Sequence, residues 1–226
     1  MLENCQKSAE LLKSVGSVAA QLDEVMKEFS HPGYESQTSL WVLPSVPKLR
    51  DFLFALDDEG EVKLVMEIIG AFEKEVVPIL NALEKGIIHG DLNENNLIVS
   101  TDGKSVEAII DFGDSHKTCY IFELAVCLCY MITQSNSIEM AKYVIEGYQR
   151  NRKMTEQEKQ IVKLCVCARL VQSLVLGTYS YKREPENHYL VRAHATKWQI
   201  LKKLWATPDD VVMELWNLND SSKTRF

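Results

Sequence analysis

The chain has 226 residues, 46 % of them apolar, and a formal net charge of -7. That length fits one domain or one large lobe of a two-lobed enzyme, with enough apolar material for a sizeable core. The acidity argues against a nucleic-acid groove lined with Lys and Arg and suits a cationic substrate or a bound metal ion.

Taken in chain order, residues 6–29 read as an amphipathic helix, with Leu11, Leu12, Val15, Val18, Ala19, Leu22, Val25, Met26 and Phe29 at helical spacing. His31-Pro32-Gly33 ends it. Trp41 to Pro47 reads as a loop broken by Pro44 and Pro47. A second long helix is predicted over 60–85, with Pro78 as a kink or break and Gly86 as its cap. Leu97-Ile98-Val99 and Val106 to Ile110 are short strands around a turn with Asp102-Gly103, a hairpin signal. Further helices are predicted over 119–133, 136–150, 155–180, 187–205 and 208–215, the third opened by a Thr155/Glu158 capping box. A polar tail follows from Asn217 to Phe226.

No stretch approaches the ~20 apolar residues of a membrane span; the longest, Ile121 to Ile132, contains Glu123. The start Met1-Leu2-Glu3-Asn4-Cys5 lacks the basic and apolar parts of a signal peptide. The six cysteines Cys5, Cys119, Cys127, Cys129, Cys165 and Cys167 fall mostly in apolar helical patterns, with no histidines at zinc-finger spacing. They read as reduced core thiols of a cytosolic protein.

The chemistry concentrates at the hairpin. His89-Gly90-Asp91 is followed by Asn96 five residues beyond the aspartate, then a strand, a turn, a second strand and Asp111-Phe112-Gly113-Asp114. A turn centred between Gly103 and Lys104 sets Asn96 opposite Asp111, so two hard oxygen ligands of the kind Mg²⁺ prefers emerge together. Asp91, on the loop entering the first strand, is aimed at the same place as a proton acceptor. Such a set suits phosphoryl transfer, in which metal ions neutralise phosphate oxygens and an aspartate orients the attacking hydroxyl. Asp91 is the candidate base, and Asn96 and Asp111 the candidate metal ligands. His89 orders the loop, and Asp114 supports it or meets substrate. Each piece alone has a bland reading as turn residues; their combination is what is specific.

These motifs resemble the aminoglycoside phosphotransferase and choline kinase superfamily, relatives of the protein kinases, in which Gly90 stands where kinases have Arg. The resemblance extends over essentially the whole chain, but only over the large lobe of that fold. It implies a mainly α architecture with a small β-hairpin, spanning residues 1–216 as a C-terminal, kinase-like large lobe. Phe122-Glu123-Leu124-Ala125 resembles the element whose acid braces the catalytic loop from below; alternatively Glu123 is an acid favoured by a helix N-terminus. The runs around His89, Asp111 and Glu123 most resemble the branch acting on 5-hydroxy-L-lysine. That implies GTP as donor, Mg²⁺, a cytoplasmic setting, and no nucleic-acid or membrane partner. By resemblance only, Ile98 and Ile110 floor the nucleotide base.

No glycine-rich loop precedes His89, and neither Lys48 nor Lys63 follows a strand pattern, so the phosphate-covering small lobe is expected to be absent, as in a truncated isoform or fragment. Two alternatives stay open: a catalytically impaired lobe acting as a binding module, and a kinase for choline, homoserine or another small hydroxyl compound. His116, His188 and His194 read as structural. Trp198, Trp205 and Trp216 read as core or helix-contact anchors, although one of these, Glu184 or Glu186 could shape the acceptor pocket.

Overall fold

The computed structural model describes residues 1–35, 39–191 and 193–219; the tail expected beyond Asn217 lies outside the described residues from position 220. Ser8 accepts the Leu11 N–H at 3.1 Å and starts helix α1, Ala9–Met26. Its buried stripe is Leu11, Leu12, Val15 and Ala19, whereas Val25 and Phe29, expected on the same face, are exposed. The segment Leu43–Ala55, expected in part as loop, winds into 3₁₀ turns instead. Proline's fixed φ is compatible with such turns.

Asp58 caps α2, Glu59–Glu75, through the Glu61 N–H at 2.8 Å. This helix stops short of the expected residue 85: Pro78 falls in a separate 3₁₀ turn, Val77–Ile79. The chain then extends into β1, Lys85–Ile88, so Gly86 is a strand residue and not a helix cap. A Cβ there would lie 1.8 Å from the Tyr120 hydroxyl.

Two further strands follow, β2 (Leu97–Val99) and β3 (Val106–Ile109), and a fourth, β4 (His116–Cys119), pairs antiparallel with β1. The single predicted hairpin is therefore joined by a second two-stranded sheet. The β2–β3 register shifts between Ile98 and Val99, and the Ile110 N–H donates to the Asn96 carbonyl at 3.0 Å. Asp111 thus sits one residue past the partner of Asn96, not opposite it as expected: the turn is centred between Asp102 and Gly103, and the irregularity moves the pairing back by only one residue. Because β1 pairs with β4 and β2 with β3, the loop 89–96 between β1 and β2 lies beside the segment 110–115 between β3 and β4.

The remaining elements are α3 (Tyr120–Gln134), α4 (Ala141–Asn151), α5 (Glu156–Arg183), α6 (His194–Ala206) and α7 (Asp209–Leu215). The Thr155/Glu158 capping box at the start of α5 is formed in both directions. Nearly all of α3 is buried, as is most of the middle of α5. α1 and α4 cross at two glycines: a Cβ on Gly16 would meet the Val144 carbonyl oxygen at 1.8 Å, and one on Gly147 the Lys13 carbonyl oxygen at 1.9 Å. By length and composition α5 could cross a membrane, contrary to the sequence expectation, but 89 % of its apolar window is buried inside the protein. It is the central core helix. All six cysteines are free and five are buried, as expected of core thiols; burial pushes Cys129 up to about 12.

Candidate functional site

The loop leaving β1 is shaped by its own backbone demands. Gly90 has φ +81°, and a Cβ there would lie 2.7 Å from the Asp114 carbonyl oxygen and 2.9 Å from the His116 ring. Both the dihedral and the close approach call for glycine. Below the loop, the fully buried Glu123 accepts the N–H groups of His89 and, at 3.2 Å, Gly90 through one oxygen. The bracing acid read from the sequence is thus in contact with the loop. Burial pushes Glu123 up to about 7, outweighing those two backbone N–H groups. His89 is buried. Its Nδ1 accepts the Asp91 N–H at 3.2 Å, which leaves Nε2 to donate to the Ile110 carbonyl at 2.9 Å. One ring therefore ties the loop to the 110–115 segment. His116 is part of the same support, its Nδ1 2.8 Å from the Asp114 carbonyl oxygen.

Asp91 is held from three sides. Its Oδ2 accepts from the amides of Asn93 at 2.6 Å and Asn96 at 3.2 Å, and its Oδ1 pairs with Arg169 Nη2 at 3.2 Å. Burial raises its carboxyl above the ordinary aspartate range; Arg169 pulls it back, and the charge of Asp114 raises it again. The Asn96 amide nitrogen also donates to the Asp91 carbonyl at 2.9 Å, so its donors are used and its oxygen is left to face elsewhere. Asp111 is exposed, in the left-handed region at φ 64°, and accepts the Gly113 N–H at 3.4 Å. A non-glycine residue held there stores strain of the kind found at functional sites. Among the described residues no three His, Cys, Asp or Glu side chains gather as a metal cage.

A cleft of about 280 Å³ opens beside Asp91. Besides Asp91 and Asp114 its walls include Trp41, Glu94, Tyr130, Arg169 and Lys197. Arg169, on α5, is 2 % exposed. Its guanidinium also donates to the Trp41 carbonyl at 3.0 Å, Gln172 Oε1 at 3.2 Å and the Tyr130 hydroxyl at 3.2 Å, and it lies over the Trp41 ring at 5.2 Å. The sequence reading missed Arg169, although a charge inside the apolar run Ile161–Leu176 was a visible signal. Lys197, on α6, carried no such signal.

The remaining expected residues stand apart. Ile98 is half-buried and Ile110 exposed, and neither lines the cleft. Glu184, Glu186, Trp198, Trp205 and Trp216 do not line it either. Trp216 is fully buried and donates to the Ile138 carbonyl at 2.9 Å, a core anchor as read. His188 lies 3.4 Å from the Tyr181 hydroxyl, away from the loop.

The profile of the phosphotransferase enzyme family matches residues 2–158. The chain is similar to hydroxylysine kinase of Mus musculus, at 34 % identity over 221 residues, covering 92 % of this chain and 59 % of that protein. It is similar also to hydroxylysine kinase of Bos taurus, at 35 % identity over 219 residues, covering 92 % and 58 %. The chain spans about three fifths of the length of these relatives. Among solved structures a microcompartment-associated aminopropanol kinase superposes with a TM-score of 0.66 at 14 % identity, covering 88 % of this chain and 63 % of that one. This last likeness concerns the fold alone.

Proposed function

Because this chain belongs to the phosphotransferase enzyme family, we propose that it transfers the γ-phosphoryl group of a nucleoside triphosphate to the hydroxyl of a small amine-bearing acceptor. GTP as donor and 5-hydroxy-L-lysine as acceptor are the finer form of this reading, supported by the names of the relatives and the motifs shared with that branch. In it the described elements form the C-terminal, large lobe of a kinase-like fold.

The observation that carries the reading is the Asp91 carboxylate, fixed by Arg169, Asn93 and Asn96 at the wall of the cleft. Fixed in this way, one oxygen accepts the acceptor's hydroxyl proton as the new O–P bond forms and the bond from the γ-phosphorus to the β,γ-bridging oxygen breaks, releasing the nucleoside diphosphate. Burial raises its basicity for that step, and Arg169 keeps the rise moderate. Asn96 and Asp111 offer one hard oxygen each at the adjoining edge. A site with only two protein oxygens fits Mg²⁺, which keeps waters and takes further ligands from substrate phosphates. Bound there, the ion would neutralise charge on the transferring group. His89, Gly90 and Glu123 hold the loop in this shape, and Asp114 faces the acceptor. Ile98 and Ile110, on the hairpin beside Asn96 and Asp111, serve as an apolar floor for the base.

The test is transfer of labelled γ-phosphate from Mg·GTP to 5-hydroxy-L-lysine by the purified chain, with Asp91→Asn as control. The control is expected to lose at least ~10²-fold in rate, the scale of a general base, and its folded fraction is measured alongside, because Asn at this position leaves Arg169 without its carboxylate. Equal turnover by the two proteins would sink the reading.

A further inference from the structure

The charges lining the cleft are not all accounted for by holding Asp91. Arg169 is paired with Asp91. Lys197 is different: its Nζ donates to Ser173 Oγ at 2.7 Å, lies 5.7 Å from the centre of the Tyr130 ring, and is paired with no carboxylate among the described residues. On the same cleft Glu94 accepts from Gln134 Nε2 at 2.6 Å through one oxygen. Its other oxygen is buried with no hydrogen-bond partner. An ammonium and a carboxylate that attract each other across the cleft without pairing directly therefore share one half-enclosed space with the group that orients the hydroxyl. Burial of a charge without its complement is costly, and a ligand carrying both opposite charges would satisfy both residues at once.

We propose that this cleft reads the head group of a zwitterionic amino-acid acceptor, Lys197 with Ser173 holding its α-carboxylate and Glu94 its α-ammonium. The proposal rests on the phosphotransferase reading for the role of Asp91, and it adds the residues that recognise the acceptor's head group. Choline and simple amino alcohols carry no carboxylate and would leave Lys197 without a directly bound anionic partner. Specificity then arises because a site built for a polar group rejects the analogue lacking it. Ser173 lies four residues beyond Arg169 on α5, so one helix positions both the residue that fixes Asp91 and the hydroxyl beside Lys197.

The experiment is calorimetric titration of the chain with 5-hydroxy-L-lysine, with its decarboxylated diamine and with its deaminated hydroxy acid. The proteins compared are the wild type, Lys197→Met, Lys197→Arg and Glu94→Gln. The wild type is expected to bind the diamine at least about tenfold more weakly, a difference of about 1.4 kcal/mol. Lys197→Met should lose that preference and Lys197→Arg retain it, which separates loss of charge from loss of fold. Glu94→Gln should lose the preference against the deaminated acid. A wild type indifferent to the carboxylate, a Lys197→Met variant that keeps the preference, or no binding of any acceptor would each overturn the proposal. The transfer assay judges the reaction independently. Transfer regardless of the carboxylate would remove this proposal and leave the reaction standing, whereas the expected binding pattern without transfer would do the reverse.

Discussion

Arg169 and Asp91 are chemically interdependent. The guanidinium is almost wholly enclosed, and the carboxylate is its anionic partner at 3.2 Å. Removing one member of a buried pair strands the other, a loss of about 3–5 kcal/mol. Arg169→Met is therefore expected to lower stability by that order, and Asp91→Asn introduced alongside it should restore part of the loss. A urea-denaturation cycle over the wild type, both single variants and the double variant measures the coupling; strictly additive effects would contradict it. At this scale the sequence was legible where the residues that gather lie close together in the chain. His89, Asp91, Asn96, Asp111 and Glu123 fall within 35 residues; all but Asp111, whose side chain accepts from Gly113, are joined by hydrogen bonds around one loop. Arg169 and Lys197 lie on helices brought to the loop only by tertiary packing, so no spacing rule reaches them.

Where α1 crosses α4, two glycines let backbone meet backbone. Gly147→Ala should relieve about 1 kcal/mol of helix propensity. The added Cβ, however, would sit 1.9 Å from a main-chain oxygen of Lys13, and backbone cannot swing aside as a side chain can. Overpacking costs about 1–3 kcal/mol even where side chains adjust, so the expected net result is destabilisation, read as a lower urea midpoint at unchanged slope. A midpoint equal to or above that of the wild type would refute the crossing geometry. Element legibility followed signal strength. The capping box of α5 and the long apolar periods of α3 and α5 were plain. β1 and β4 escaped notice because four residues such as Lys85–Ile88 carry too little alternation to stand out beside a helix pattern. The β2–β3 register was misread by one residue because the turn is centred between Asp102 and Gly103, one position before the expected centre, and the irregularity between Ile98 and Val99, which leaves no mark in residue types, makes up only part of that shift.

The molecule as a whole carries a buried acidic strain. Glu123 and Asp23 are enclosed, burial raises both carboxyls, the charge of Glu123 raises that of Asp23 further, and each has an oxygen without a hydrogen-bond partner. The Tyr148 hydroxyl, 2.8 Å from Asp23, and the charge of Arg152 pull Asp23 down; Arg169 pulls Glu123 down while Asp91 pushes it up. In both cases burial prevails. The folded state therefore holds protons that the unfolded chain releases in the ordinary carboxylate range. By linkage, stability is greatest at low pH within this window and falls as pH rises from about 4.5 towards 7. The contribution of Glu123 is on the order of 1–3 kcal/mol. Glu123→Gln retains an oxygen for the His89 and Gly90 N–H groups, and it should flatten the loss measured between pH 5 and pH 8 while Asp23 supplies the residual slope. An unchanged pH dependence would show that Glu123 is ionised throughout. Mostly helical architecture was legible from apolar periodicity; that two buried acids would lie within each other's field was not, since they are a hundred residues apart.

The distribution of thiols has a practical consequence. With Cys119, Cys127, Cys129, Cys165 and Cys167 enclosed, a bulky maleimide dye meets only one accessible sulfur in the native protein, that of Cys5. Two residues before it, the Glu3 N–H donates to the Glu94 carbonyl at 3.2 Å. A fluorophore on Cys5 is thereby tethered next to the cleft beside Asp91 without any engineered attachment point, and a change in its emission on adding a small molecule would report occupancy without any turnover.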